Sequence, residues 1–365
     1  MDAAFAAQAV QAHLVMIKGL TSSLWPIHTK PLPDELLSCW LIRLAHGHGL
    51  KVQTFCNLVF GNKRQVWNRD IDRLAPEWLI DELVARTGTA HEVAYNTTLR
   101  PYEGWLFAKF RESGSLSWIL TLKMYHRKRQ GFGLQFCPLC LREDETPYFR
   151  RQWRVVLNVM CAQHNIWMQD RCPKCRSGVA FHRIEMGRPN STAVDSLSVC
   201  HDCGFDLRDS PTQNYDEAES EEHAYIANLC RDANRLPAPV EHGPASADSL
   251  AVMRQFCKLV GSERPKVRLR EFIDEARGGE PTRFVASREP IETRPPEERI
   301  EMLFQAGWMM ADLEGRVGRA WTARAIRYNH LLKEFTNPPD WFVALAERFS
   351  NWRDRRKSND PPDIQ

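Results

Sequence analysis

Eight potential metal ligands at four equal spacings constrain this chain more than any other feature. Cys137-x-x-Cys140, Cys161-x-x-His164, Cys172-x-x-Cys175 and Cys200-x-x-Cys203 all fall within 67 residues. A Cys-x-x-Cys loop presents two thiolates to one ion at tetrahedral angles, and two such loops close a four-ligand shell. Eight ligands make two shells, and two structural zinc ions are their simplest occupants. The sequential assignment gives Cys137, Cys140, Cys161 and His164 to one ion and Cys172, Cys175, Cys200 and Cys203 to the other. It closes shorter loops than an interleaved pairing, which the spacing alone leaves open. His201 adjoins Cys200 and is an alternative ligand there. Both shells are complete, whereas a catalytic zinc keeps one position for water, so the metal is expected to be architectural. Buried free cysteines would not explain four equal spacings, and no βαβ pattern supports a thioredoxin-like redox centre. Cys39, Cys56, Cys230 and Cys257 are left over and read as inert apolar filler.

A chain of 365 residues predicts two or three domains. A hydrophobic content of 43% with 26% charged residues fits packed globular structure. The net charge of +3 excludes a highly basic nucleic-acid coat, so any nucleic-acid surface must be a local patch. The opening MDAAFAAQAVQAHLVMIKGL has no Lys or Arg before Lys18 and is interrupted by Gln8, Gln11 and His13. It reads as neither a signal peptide nor a membrane span. The expected setting is a reducing cytoplasm, where paired cysteines bind metal more often than each other.

Texture divides the chain. Residues 1–30 read as a short helical extension, and residues 31–135 as a helical domain. Asp34 is placed to cap a helix in which Leu37, Trp40, Leu41, Leu44 and His48 share one face. Val52, Phe55, Cys56, Val59 and Phe60 form a second helical face, with Gly61 at its C-terminal cap. The two helices resemble a helix-turn-helix unit, or equally a pair of core helices. Further helices are expected at 77–86 and 90–97, the latter opened by the capping box Thr89-x-x-Glu92. Residues 136–208 form the double zinc-binding module, a small zinc-ribbon-type α+β unit. There Trp153, Val155, Leu157 and Val159 alternate like a strand, although Val156 and Met160 break the alternation and leave a helix open. Residues 209–247 combine an acidic run with a Pro/Ala-rich linker. Residues 248–356 form a C-terminal helical domain that could hold a second helix-turn-helix, and 357–365 a tail. The expected fold class is therefore mainly α around a central double zinc finger.

These features resemble the TniQ family, whose members, with the related TnsD proteins, choose targets for transposons that move with a DDE transposase and an AAA+ ATPase. One part of the resemblance is PLPDELLSCWLIRLAHGHGL, where Ser38, Trp40, Leu41, Arg43 and Leu44 fit a Ser-x-Trp-Leu-x-Arg-Leu pattern. The other is FCPLCLREDETPYFRRQWRVVLNVMCAQHNIWMQDRCPKC, with Tyr148, Trp153 and Cys161-x-x-His164 in order. Residues 31–205 carry it. It implies a bacterial, cytoplasmic adaptor without chemistry of its own. Such a protein recognises target DNA, directly or through a guide-RNA effector complex, and recruits the transposon AAA+ ATPase. It reaches the transposase indirectly, is compatible with a homodimer and involves no membrane. The eight zinc ligands carry over residue by residue, whereas the family's DNA- and partner-contacting residues match no motif here.

Basic side chains supply candidate nucleic-acid contacts. Lys123, Arg127, Lys128 and Arg129 lie in KMYHRKR before the first knuckle. Arg150, Arg151 and Arg154 follow it, with Tyr148 and Trp153 interleaved. Brought together they would form a ridge suited to phosphates; apart, they are solvated charges. In the last block Ile300, Leu303, Phe304, Gly307 and Trp308 share a helical face. Trp321, Ala325, Tyr328, Leu332 and Phe335 share another, with Arg324, Arg327 and Lys333 off it, as on a recognition helix or an amphipathic bundle helix. No nucleophile, carboxylate pair or GxxxxGK[ST] loop stands out, so ATP hydrolysis belongs to a partner and no enzyme is expected. One rival is a transcriptional regulator with helix-turn-helix and zinc-ribbon parts that binds DNA on its own. Another is an HNH-type nuclease, which needs for catalysis the histidine that here serves as a metal ligand.

Overall fold

The computed structural model describes residues 23–61, 65–125, 128–129, 132–184, 197–234, 244–278, 282 and 286–350. Arg127, the tail, residues 235–243 of the linker segment and most of the N-terminal extension lie outside the described residues. The chain forms two compact units. One comprises residues 1–102, 122–154 and 168–212; the other comprises 103–121, 155–167 and 213–365. Among the described residues the fold is mainly helical, with two two-stranded antiparallel hairpins. No helix among them is long and apolar enough to cross a membrane.

The first unit is built around α1 (Leu37–Gly47). From Leu37 to Ala45 only Arg43 escapes burial, so this is a core helix rather than a half-exposed one. Its first turn is capped from a distance. Leu36 stands at the N-cap without a capping side chain, and helix N-terminal amides must find acceptors elsewhere. Leu36 N–H donates to the Phe149 carbonyl at 3.0 Å and Leu37 N–H to that of Thr97 at 2.9 Å. Ser38 gives its amide to one Asp72 oxygen at 2.7 Å and its hydroxyl to the other at 2.8 Å. Asp34, the expected cap, turns away with φ 56°. Its carboxylate instead accepts from Arg151 Nε and the Gln152 amide, both at 3.0 Å.

Asp72 lies on α3 (Ile71–Leu74), which follows α2 (Val52–Phe60). As expected, α2 buries Val52, Phe55, Cys56 and Phe60 and ends at Gly61, whose φ of 75° suits glycine. Burial and the neighbouring Asp70 push the Asp72 carboxyl up, against the pull of Arg154 and Ser38. Arg154, 0% exposed, donates to Asp70 at 2.6 Å and to Asp72 at 3.4 Å. α4 (Glu77–Thr87) ends at Gly88, and α5 (His91–Tyr95) is shorter than expected. The capping box there does not form: Ala90 is the N-cap, and the Thr89 hydroxyl pairs with that of Thr87 at 2.7 Å. β1 (Met124–Tyr125) and β2 (Lys128–Arg129) make one hairpin, and α6 (Pro138–Glu143) opens the first knuckle. The alternating stretch after Tyr148 is neither strand nor α-helix. It makes a 3₁₀ turn at Arg151–Arg154, and every residue from Trp153 to Val159 is buried. A segment covered on all sides has no face for alternation to mark.

The second unit contains the hairpin of β3 (Met160–Cys161) and β4 (Ile166–Trp167), then α7 (Glu221–Asn234), α8 (Ala247–Val260) and α9 (Leu269–Arg277). α10 (Pro296–Ala311), α11 (Leu313–Thr322), α12 (Tyr328–Leu332) and α13 (Asp340–Glu347) complete it. α10 is the core helix, buried without interruption from Met302 to Met309 and packed against α7 and α8. Gly307 permits this approach, because a Cβ there would stand 3.1 Å from the Tyr225 ring. The long recognition-type helix expected through Trp321 and Phe335 does not exist. α11 stops at Thr322, Arg324 takes φ 59°, and a turn leads into α12.

Two outcomes follow from the first unit. Arg154→Met leaves the buried Asp72 and the half-buried Asp70 without their cation, and should cost about 3–5 kcal/mol, read as a lower urea midpoint. Arg208→Ala, which removes a partly exposed pair with Asp206, should cost about 1 kcal/mol or less. The second outcome concerns pH. His48 Nδ1–H donates to the Leu44 carbonyl at 2.7 Å, and Nε2 accepts the Ile27 amide at 3.2 Å. Burial lowers its proton affinity from the ordinary 6.5, and a proton on Nε2 would oppose the Ile27 N–H. The unfolded chain therefore binds this proton more readily. The contribution is complete above about pH 6.5 and is lost as pH falls below it. Equilibrium unfolding at pH 7.5 and 5.5 should show a smaller difference for His48→Gln than for the parent.

Candidate metal centres

In all four knuckles the residue four after the first cysteine donates its amide back to that cysteine's carbonyl: Leu141 to Cys137 at 3.1 Å, Asn165 to Cys161 at 2.8 Å, Arg176 to Cys172 at 2.9 Å and Gly204 to Cys200 at 3.0 Å. In the last three this bond closes a left-handed turn. Each of these three residues has positive φ, at 49°, 64° and 74°. The turn brings side chains i and i+3 to the same side. The remaining knuckle uses a helix start. Cys137 is the N-cap of α6, Pro138 occupies the first turn, and the Cys140 amide donates to Cys137 Sγ at 3.4 Å.

The ligand atoms converge in two groups, Cys137, Cys140, Cys161 and His164, and Cys172, Cys175, Cys200 and Cys203, each within 4.8 Å. This is the sequential assignment. In the first group Cys161 Sγ lies 3.4 Å from His164 Nδ1. In the second, Cys172 to Cys203 and Cys175 to Cys200 are each 3.6 Å between sulfurs. A disulfide requires about 2.05 Å, so these are thiols. Tetrahedral metal–sulfur bonds of about 2.3 Å set sulfurs about 3.8 Å apart, close to what is observed. The Ser177 hydroxyl donates to Asp202 at 2.8 Å and clasps the last two knuckles together. Burial pushes the Cys200 thiol up to about 12. Cys175 moves the other way, to about 7, because against burial its hydrogen bonds with Ser177 and the neighbouring cysteines favour the thiolate, the form in which a thiol binds metal. Both groups could therefore hold a metal ion, and the donor chemistry fits one that accepts three or four sulfurs. The other four cysteines are buried apart from both groups. Cys230, for example, donates to the Leu157 carbonyl at 2.7 Å.

Arg150, Arg151 and Arg154 of the expected ridge are committed within the fold. Arg150 makes a two-pronged pair with Asp144, at 2.7 and 3.0 Å, and lies over the Tyr148 and Trp153 rings. Arg151 holds Asp34, and Arg154 holds Asp70 and Asp72. Their charge is matched internally. Lys123 is exposed, and Lys128 and Arg129 lie in β2. Arg324 and Arg327 are exposed on the turn between α11 and α12. The sequence reading missed Asp34, Asp70, Asp72 and Asp144 as arginine partners. Only the Asp70-x-Asp72 pair could have signalled one, and its arginine is 82 residues away.

A model of the TniQ family matches residues 26–167, a stretch that includes the first four candidate ligands. No curated protein matches the chain. The TniQ domain carries, at family level, a role in target selection during transposition.

The purified chain should hold two divalent ions by elemental analysis, and Cys200→Ser should lose one while keeping the other. Acidification should release both, because the thiols bind only when deprotonated. One ion or none in intact protein would overturn the two-site arrangement.

Proposed function

We propose that this chain, which belongs to the TniQ family through its domain at residues 26–167, is a target-selection adaptor that couples a target to the transposon's AAA+ ATPase. It contacts DNA directly or through a DNA-bound guide-RNA effector, and reaches the transposase through the ATPase. The observation that carries this reading is the TniQ domain with two closed four-donor clusters. The ions are zinc, and their work is architectural: each replaces apolar core that a segment rich in loops cannot build. Closed shells offer no position for substrate or water, so the chain supplies surfaces rather than bond chemistry.

An adaptor needs two faces held at fixed positions. On the target side, Arg324 and Arg327 are the candidate contacts, being exposed on one turn. Lys123, exposed just before β1, is a further candidate contact.

Transposition reconstituted with the cognate ATPase and transposase should lose its insertion-site choice when this protein is left out. Unchanged efficiency and unchanged sites would instead favour the free-standing regulator. Site-specific binding to naked DNA by the chain alone identifies direct readout; binding only in the presence of an effector identifies the guided mode. Arg324→Ala/Arg327→Ala should lower the slope of log K against log salt on duplex DNA by about 1.8. An unaltered slope returns these two side chains to a solvated turn.

A further inference from the structure

The second unit contains a cavity of about 700 Å³. It is bounded by the end of α8, the turn at 261–265, the segment 287–291 and the turn at 333–334. Its walls are tied together. The Ser287 amide donates to the Gly261 carbonyl at 3.1 Å. The Arg294 guanidinium donates to the Ser287 carbonyl at 2.9 Å and to that of Gly261 at 3.5 Å. A Cβ on Gly261 would stand 3.0 Å from Met302 Cε, so the backbone lies directly on the floor there. The volume is in the range of pockets that take a small ligand or one nucleotide unit.

Five cationic side chains line the cavity: Arg254, Lys258, Arg264, Arg288 and Lys333. Two have partners that neutralise them. Arg254 donates to the buried Glu292 at 2.6 and 3.1 Å, and Arg288 faces Glu263 at 3.7 Å. The lining carboxylate Glu289 accepts the Thr293 hydroxyl at 2.7 Å. What remains is Lys258, Arg264 and Lys333 against two lining carboxylates, Glu334 and Glu289, whose charge the Thr293 hydroxyl does not cancel, so the cleft keeps an excess of one positive charge. Lys258 Nζ is 3.0 Å from one Glu334 oxygen, and Arg264 donates to the other. Glu334 has φ 60°, a backbone state that a non-glycine residue keeps only where its surroundings demand it. Lys258 and Arg264 are 42% and 40% exposed, so both also face solvent. The positive field extends to α12: burial lowers the proton affinity of His330, and Arg327, Arg264 and Lys333 lower it further.

We infer that this cleft is a phosphate-binding site, in which Lys258, Arg264 and Lys333 are the cations and the Glu334 carboxylate occupies the anion position until a phosphate displaces it. Carboxylate and phosphate oxygens accept from the same guanidinium fork, so a phosphodiester, with one charge like the carboxylate, can take its place, and a free phosphate or phosphomonoester brings more charge still. A phosphodiester of a nucleic-acid strand is the source that suits a target-selection protein. That choice of source rests on the proposed function; the site itself rests on the cavity and its charges.

The test is binding of a labelled single-stranded oligonucleotide, ATP and inorganic phosphate to the full chain across a salt series. Lys258→Ala/Arg264→Ala should lower the salt slope for the strand by about 1.4, two contacts' worth on single strands. Glu334→Gln removes one opposing charge at contact distance and should tighten binding about fivefold. All three are side chains near two-fifths to one-half exposed, and unchanged far-ultraviolet dichroism checks that the variants fold. If the parent and both variants bind every probe alike, the site is overturned. If ATP or phosphate binds the parent and not the double variant while the strand does not bind, the site stands and the strand is overturned as its source. Reconstituted transposition reads the adaptor role independently, since loss of site choice on omitting the protein does not depend on this cleft.

Discussion

One buried guanidinium organises the first unit. Arg154 holds Asp70 and Asp72, and Asp72 in turn receives both the amide and the hydroxyl of Ser38 at the start of α1. The core helix therefore begins where an arginine 116 residues further along the chain has fixed a carboxylate. Removing any member strands the others in a medium that does not solvate charge. Apolar residues of similar volume in place of the whole set could be nearly neutral. The network is thus better understood as a device for register than as a reservoir of stability. The same short stretch repeats the device twice, with Arg150 on Asp144 and Arg151 on Asp34. Three arginines that could have faced a nucleic acid instead fasten the 3₁₀ turn to the helices around it.

The knuckles solve a different problem. Between Cys172 and Cys203 the described chain has one 3₁₀ helix as its only regular element, at Phe181–Arg183. Turns with positive φ at Arg176 and Gly204 and a Ser177–Asp202 bond bring four thiols together. Burial that raises the Cys200 thiol keeps its proton on until a cation stabilises the thiolate. Metal binding and local folding are then one equilibrium. Such a segment is rigid with metal and lacks a core without it.

Rigidity of this kind is what the proposed adaptor role requires. Binding energy at two faces can be combined only if the faces keep their spacing. The charge pattern supports a division of labour within the chain. Arginines near the first cluster are internally matched, whereas Arg324, Arg327 and the Lys258–Arg264 cleft retain positive charge toward solvent.

The sequence by itself marked the four knuckles, because a two-residue spacing between ligands is a local fact that survives any tertiary arrangement; which knuckles come together is a matter of the fold. It also determined α1, α2 and α4, where apolar periodicity is strong and Gly61 and Gly88 stop two of the helices. Local signals failed where tertiary partners outbid them. Asp34 and Thr89 stood at capping positions, yet Arg151 and Thr87 claimed their oxygens. The apparent alternation from Trp153 to Val159 meant nothing, because both sides of that segment are covered. The face drawn through Trp321 and Phe335 assumed an unbroken helix, and the left-handed turn at Arg324 broke it. Whether a given arginine faces solvent or a carboxylate was decided only by the folded chain. Charge pairing acts across space, and the partners of Arg151 and Arg154 lie 82 to 117 positions away.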